Sequence, residues 1–211
     1  MPELPLIKEF SDILAKRIMF LDGAMGTVIQ NYKLTAADYH GERFKNHAKS
    51  LKGNNELLVL TRPDVITQIH LDYLRAGSDI ICTNTFSANE ISQNDYNLTQ
   101  IVTELNIAAV KLALDACNKI MQEDNGRKCY VAGSIGPTNV TLSISPDVSD
   151  PSIRSHTFDQ LKNVYYKQIV ALVDAGVDIL LPETTFDTLN LKACDTSISR
   201  INHIKVIIHN Q

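Results

Sequence analysis

The stretch Ala76-Gly77-Ser78-Asp79-Ile80-Ile81-Cys82-Thr83-Asn84-Thr85-Phe86 decides the fold. A small residue and a glycine close a helix, and an apolar run follows that ends in hydroxyls and an amide. The same pattern returns as Ala175-Gly176-Val177-Asp178-Ile179-Leu180-Leu181-Pro182-Glu183-Thr184-Thr185-Phe186. An amphipathic segment precedes each copy. Pro63 suits a first helical position, and Val65, Ile66, Ile69, Tyr73 and Leu74 then share one face. Thr157, with Gln160 three residues on, is a capping box ahead of Phe158, Leu161, Tyr165, Ile169 and Leu172. Repeated units of helix, glycine and strand imply a parallel sheet with right-handed crossovers.

Reading outward adds further units. Ile18 to Leu21 is a short buried strand ending at Asp22-Gly23, after a short helix over 11–16. A long helix runs from about Thr99 to Met121, and the strand Tyr130 to Gly136 follows the turn Asn125-Gly126. Asp187 can cap a helix to about Arg200, and Ile204 to Ile208 is a last apolar strand. Apolar strands with polar C-terminal ends fit an α/β TIM barrel, whose chemistry gathers at those ends. Five strands make about the first five βα units of a (β/α)8 barrel. A doubly wound open sheet is the alternative. The polar stretch from Gln30 to Thr61 is long for a loop. It is expected to carry short helical pieces and to cover something.

Composition excludes several classes. The chain has 211 residues, 44% hydrophobic and 21% charged, with a formal charge of −4. That is an ordinary soluble globular balance, unlike a disordered chain. No Lys/Arg run marks a nucleic-acid partner. No apolar run reaches the roughly 18–20 residues of a membrane span, and the N-terminus lacks a secretory pattern. Cys82, Cys117, Cys129 and Cys194 lie far apart and form no CxxC pair. They do not make a disulfide scaffold, so a reducing cytoplasm is the expected compartment.

In a parallel sheet the strand ends meet at one rim. The first contributes Asp22-Gly23-Ala24-Met25-Gly26-Thr27 and the second Thr83-Asn84-Thr85. The third contributes Gly133-Ser134-Ile135-Gly136-Pro137-Thr138-Asn139 and the fourth Glu183-Thr184-Thr185. Two carboxylates, several hydroxyls and glycine turns suit an amino-acid ligand: carboxylates can hold an ammonium group, and backbone amides a carboxylate. The plainer alternative is that the glycines are turns and Asp22 a cap. Gly133 to Gly136 is not GxGxxG and carries no P-loop lysine, and there is no HExxH. No metal ligand set is visible, and the cysteines read as small core residues.

These rim segments resemble the homocysteine-binding domain of S-methyltransferases. Leu51-Lys52-Gly53-Asn54-Asn55-Glu56-Leu57-Leu58, followed by Pro63-Asp64-Val65-Ile66, is similar to the cobalamin-dependent methionine synthases in particular. The resemblance implies a (β/α)8 barrel and methyl transfer to homocysteine sulfur, giving methionine. The donor it implies is methylcobalamin, recharged by methyltetrahydrofolate, with folate, cobalamin and reactivation modules as partners in the complete enzyme. It also implies zinc held by three cysteine thiolates. Carried over by motif, Asp22 and Glu183 take the catalytic places near the substrate amino group. Gly23, Thr27, Asn84, Thr85, Gly133, Ser134 and Thr184 line the pocket.

The zinc motifs Gly-x-Asn-Cys and Gly-Gly-Cys-Cys-Gly do not occur here. Residues 1–211 are therefore expected to form an incomplete homocysteine-binding barrel domain that alone binds neither zinc nor cobalamin and is inactive. The alternatives are a non-catalytic module binding homocysteine or a partner chain, a betaine-dependent relative, and a different barrel enzyme using Asp22 and Glu183 as acid and base.

Overall fold

The computed structural model describes residues 5–201. Its sheet is parallel, in the order β1 (Ile80–Cys82), β2 (Tyr130–Ile135), β3 (Ile179–Pro182). Ile80 pairs with Tyr130, and Ala132 with Ile179. The expected first strand is reduced to a bridge between Leu21 and Ile80, with the Phe20 carbonyl accepting from Asp79 and Ile80 N–H. Its far side has no strand beside it among the described residues, and Ile18 and Phe20 are 73% and 60% exposed. The strand expected over Ile204 to Ile208 lies outside the described residues.

The helices are α1 (Pro5–Leu14), α2 (Met25–Asn31), α3 (Ala36–His40), α4 (Leu58–Thr61), α5 (Pro63–Ala76), α6 (Glu90–Asn94), α7 (Val102–Glu123), α8 (Phe158–Ala175) and α9 (Thr188–Ile198). The polar stretch thus carries short helices, as expected. The helix placed at 11–16 starts earlier, because Phe10 turns inward and stacks edge-on against Tyr130 at 4.7 Å. Both parts of the Thr157–Gln160 capping box form. The echoed glycines close α5 and α8 in the left-handed region, at φ 114° and 102°. The echoed aspartates act alike, since Asp79 accepts the Phe20 N–H at 2.9 Å and Asp178 the Val131 N–H at 3.0 Å. Each ties its strand to the one before it.

Strand pleating sorts side chains onto two faces. Ile81, Val131, Ile135 and Leu180 pack with Leu74, Val110, Leu161 and Leu172 of the helices. Ile80, Tyr130, Ala132, Ile179 and Leu181 face the other way and meet Phe10 of α1. The long helices that connect the strands therefore cover one face, unlike a doubly wound sheet with connecting helices on both, while α1, which precedes the strands, meets the other. Sequential parallel order with helices on one side is how a barrel begins, but three strands and a bridge do not close one. The structure is mixed α/β with a small parallel sheet, and the five-unit barrel expected from the sequence is not seen in it. A second core, with Leu51, Leu57, Leu58, Ile66, Ile69, Leu98 and Leu105, fastens the polar stretch to α5 and α7. Among the described residues no helix is long and apolar enough to cross a membrane.

Candidate functional site

Along the inner face the strands change character toward their C-terminal ends. Ala132 is followed two residues later by Ser134, and Leu181 by Glu183, so apolar packing gives way to polar groups on the same side. A cavity of about 440 Å³ opens there. Asp22, Gly23, Asn84, Ser134 and Glu183 of the expected set line it, together with Met25, Asn55, Glu56, Cys82, Thr83 and Phe86.

Asp22 accepts the Cys82 N–H at 2.8 Å through Oδ2, and its own N–H donates to the Ile80 carbonyl at 2.9 Å. Burial pushes its carboxyl up to about 6, with the charge of Glu183 adding to the rise. The group is thus mostly ionised at neutral pH and neutral in mild acid. Across the cavity, Ser134 Oγ donates to Glu183 Oε1 at 2.6 Å. Glu56 is buried, accepts the Ser87 N–H at 3.0 Å, and has its carboxyl pushed up by burial. Among the described residues no Lys or Arg lines the cavity, and the three ionisable oxygen groups on its wall, Asp22, Glu56 and Glu183, are carboxyls.

Four expected residues stand elsewhere. Thr85 is 0% exposed and bonds into the sheet end, behind the cavity wall. Gly133 lies on the helix-facing side of β2, where a Cβ would meet Leu172 Cδ1 at 3.1 Å. Thr27 is exposed on α2, and Thr184 is exposed in a left-handed turn at φ 57°. At Gly23 a Cβ would stand 3.0 Å from the Tyr73 hydroxyl, so a side chain at this turn would require the Tyr73 ring to shift. Sequence reasoning missed Asn55 and Glu56, which quoted motifs contain but which reach the rim only when the polar stretch folds back. The Asn84 amide secures that return by donating to the Asn55 carbonyl at 2.7 Å.

Zinc held by three thiolates does not fit the described residues. Of the cysteines only Cys82 lines the cavity, and burial keeps its thiol protonated. Cys117, Cys129 and Cys194 are buried in the layer between sheet and helices. No group of three or more His, Cys, Asp or Glu among the described residues could hold a metal ion. Among the described residues no imidazole lines the cavity to meet a corrin cobalt either.

Residues 19–210 match the family model for homocysteine S-methyltransferase. Among solved structures, the chain is similar to the homocysteine methyltransferase MmuM from Escherichia coli. The metallated form is 24% identical with a TM-score of 0.69, over 89% of this chain and 61% of that one. For the oxidized form the values are 23%, 0.71, 92% and 62%. The chain thus spans about three-fifths of the length of these structures, and at such identities the likeness is one of fold.

Proposed function

Because the chain belongs to the homocysteine S-methyltransferase family, we propose that its cavity holds the amino-acid end of homocysteine, and that the complete enzyme methylates the sulfur to form methionine. The observation that carries this reading is the pair Asp22 and Glu183 on a wall that has no Lys or Arg among the described residues. Two carboxylates facing one small cavity suit a primary ammonium group through charge-assisted hydrogen bonds. The substrate carboxylate is left to backbone N–H groups at the Gly23 turn. Asn84 and Ser134 supply neutral polar contacts.

Homocysteine sulfur near a thiol pKa of about 8.5 is mostly protonated at neutral pH, and the thiolate is the nucleophile. The described residues bind and orient the substrate, and its deprotonation belongs to the rest of the complete enzyme. A zinc ion held by other parts of that enzyme would supply sulfur activation, since none of the described residues fits it. The segment Leu51 to Leu58 supports methylcobalamin, recharged from methyltetrahydrofolate, as the methyl source. Folate, cobalamin and reactivation modules are then the partners of this domain.

The test is steady-state kinetics in the complete enzyme. Asp22→Asn and Glu183→Gln should each raise the KM for homocysteine tenfold or more, about 1.4 kcal/mol of lost binding. Wild-type kinetics in both variants would sink the assignment. Turnover with methylcobalamin and none with betaine supports the donor, and the reverse overturns it.

A further inference from the structure

At the floor of the cavity, two hydroxyls close a ring of hydrogen bonds with the backbone of one residue. Thr83, Thr85 and Ser134 are all buried, at 3%, 0% and 3% exposure. Thr85 Oγ1 donates to the Ser134 carbonyl at 2.7 Å. A carbonyl only accepts and a hydroxyl has one proton, so the Thr85 proton is committed there. The 2.6 Å contact between Thr83 Oγ1 and Thr85 Oγ1 therefore runs from Thr83 to Thr85. Thr83 Oγ1 in turn accepts the Ser134 N–H at 3.1 Å. The ring has one direction, and it holds both backbone polar groups of Ser134. The side chain of Ser134 is left free to donate to Glu183 Oε1 at 2.6 Å. Further support comes from α8, where Gln168 Nε2 donates to the Thr85 carbonyl at 2.8 Å. Branching at Cβ restricts threonine to few side-chain angles, so the hydroxyl directions are set by the backbone. Thr83 and Asn84 line the cavity, and Thr85 does not.

We infer that Thr83 and Thr85 are positioning residues for Glu183, acting through Ser134. They fix the donor that aims the Glu183 carboxylate at the substrate ammonium. This rests on the reading that Glu183 holds homocysteine, and it explains why Thr85 lies at the rim without lining the cavity.

The test is a double-mutant cycle read by calorimetric titration of homocysteine into the full chain at neutral pH. Thr85→Val keeps the shape and removes the hydroxyl, and should weaken binding about tenfold. Thr85→Ser should restore it. In the Glu183→Gln background the Thr85→Val loss should shrink below about twofold, since both changes break one path. An equal loss in both backgrounds, or none in either, overturns the inference. Thr83→Val is read in the same way if Thr85→Val does not fold. If the wild-type chain binds no homocysteine, the functional reading fails instead, and the ring is judged by amide exchange at Ser134. Exchange faster in Thr83→Val than in wild type supports the ring, and an unchanged rate overturns it.

Discussion

Two buried titratable residues pull stability in opposite directions with pH. Asp22 has its carboxyl raised to about 6 from 3.8. The folded state holds that proton more tightly than the unfolded chain does, so stability falls as pH rises from about 4 to about 6 and the cost is full above that. Asp22→Asn should therefore stabilise the fold at neutral pH by on the order of 2 kcal/mol, read as a higher melting temperature, while it weakens homocysteine binding. A variant less stable than wild type at neutral pH would show that the charge is not strained. His70 is 0% exposed, neither ring nitrogen has a hydrogen-bond partner among the described residues, and burial lowers its pKa to about 4. Here the unfolded chain binds the proton more tightly, so stability is full above about 6.5 and is lost as pH falls toward 4. In urea titrations, His70→Leu should flatten that acid loss. The wild-type slope persisting in His70→Leu would assign the loss to other groups. Of the three carboxyls on the cavity wall, Asp22 and Glu183 were legible in the sequence, because each ends a strand, and Glu56 was not. His70 was not, since its helical spacing does not reveal that the fold buries it completely.

The elements follow local signals closely where the signal is a cap. The sequence echo Ala-Gly-x-Asp-Ile turns out to encode two devices, a left-handed glycine closing a helix and an aspartate bonding to the next strand over. At Gly77 a Cβ would meet nothing within 4 Å, so Gly77→Ala meets only the strain of a positive φ. It should cost about 1–2 kcal/mol in urea denaturation. Gly176→Ala, with only an ordinary contact to Leu114 at 3.7 Å, should cost the same within about 0.5 kcal/mol. A neutral result at either would mean that the cap relaxes. Strand lengths were less legible. Asp79 to Phe86 reads as one run, yet β1 ends at Cys82, because Thr83 and Thr85 spend their hydroxyls on the neighbouring strand end. No periodicity separates a strand residue from one that has left the ladder for a side-chain bond.

At the scale of the molecule, the parallel sheet was readable from the repeated units, whereas the choice between a barrel and a doubly wound sheet, and the extent of the barrel, were not. Closure depends on strands meeting across the sheet, which no local pattern specifies. The same holds for the cavity: the rim motifs named four of its walls, but Asn55 and Glu56 arrive from the polar stretch by tertiary packing through Leu51, Leu57 and Leu58. What the arrangement offers is a small carboxylate-walled cavity at the C-terminal rim of a parallel sheet, in a chain of the homocysteine S-methyltransferase family. The most direct measurement is titration of homocysteine into this chain across pH, followed by calorimetry. Saturable one-to-one binding that weakens as pH falls through about 6, where Asp22 loses its charge, is the expected result. Absence of saturable binding, or binding unchanged through that range, would contradict the assignment of the cavity to the substrate ammonium.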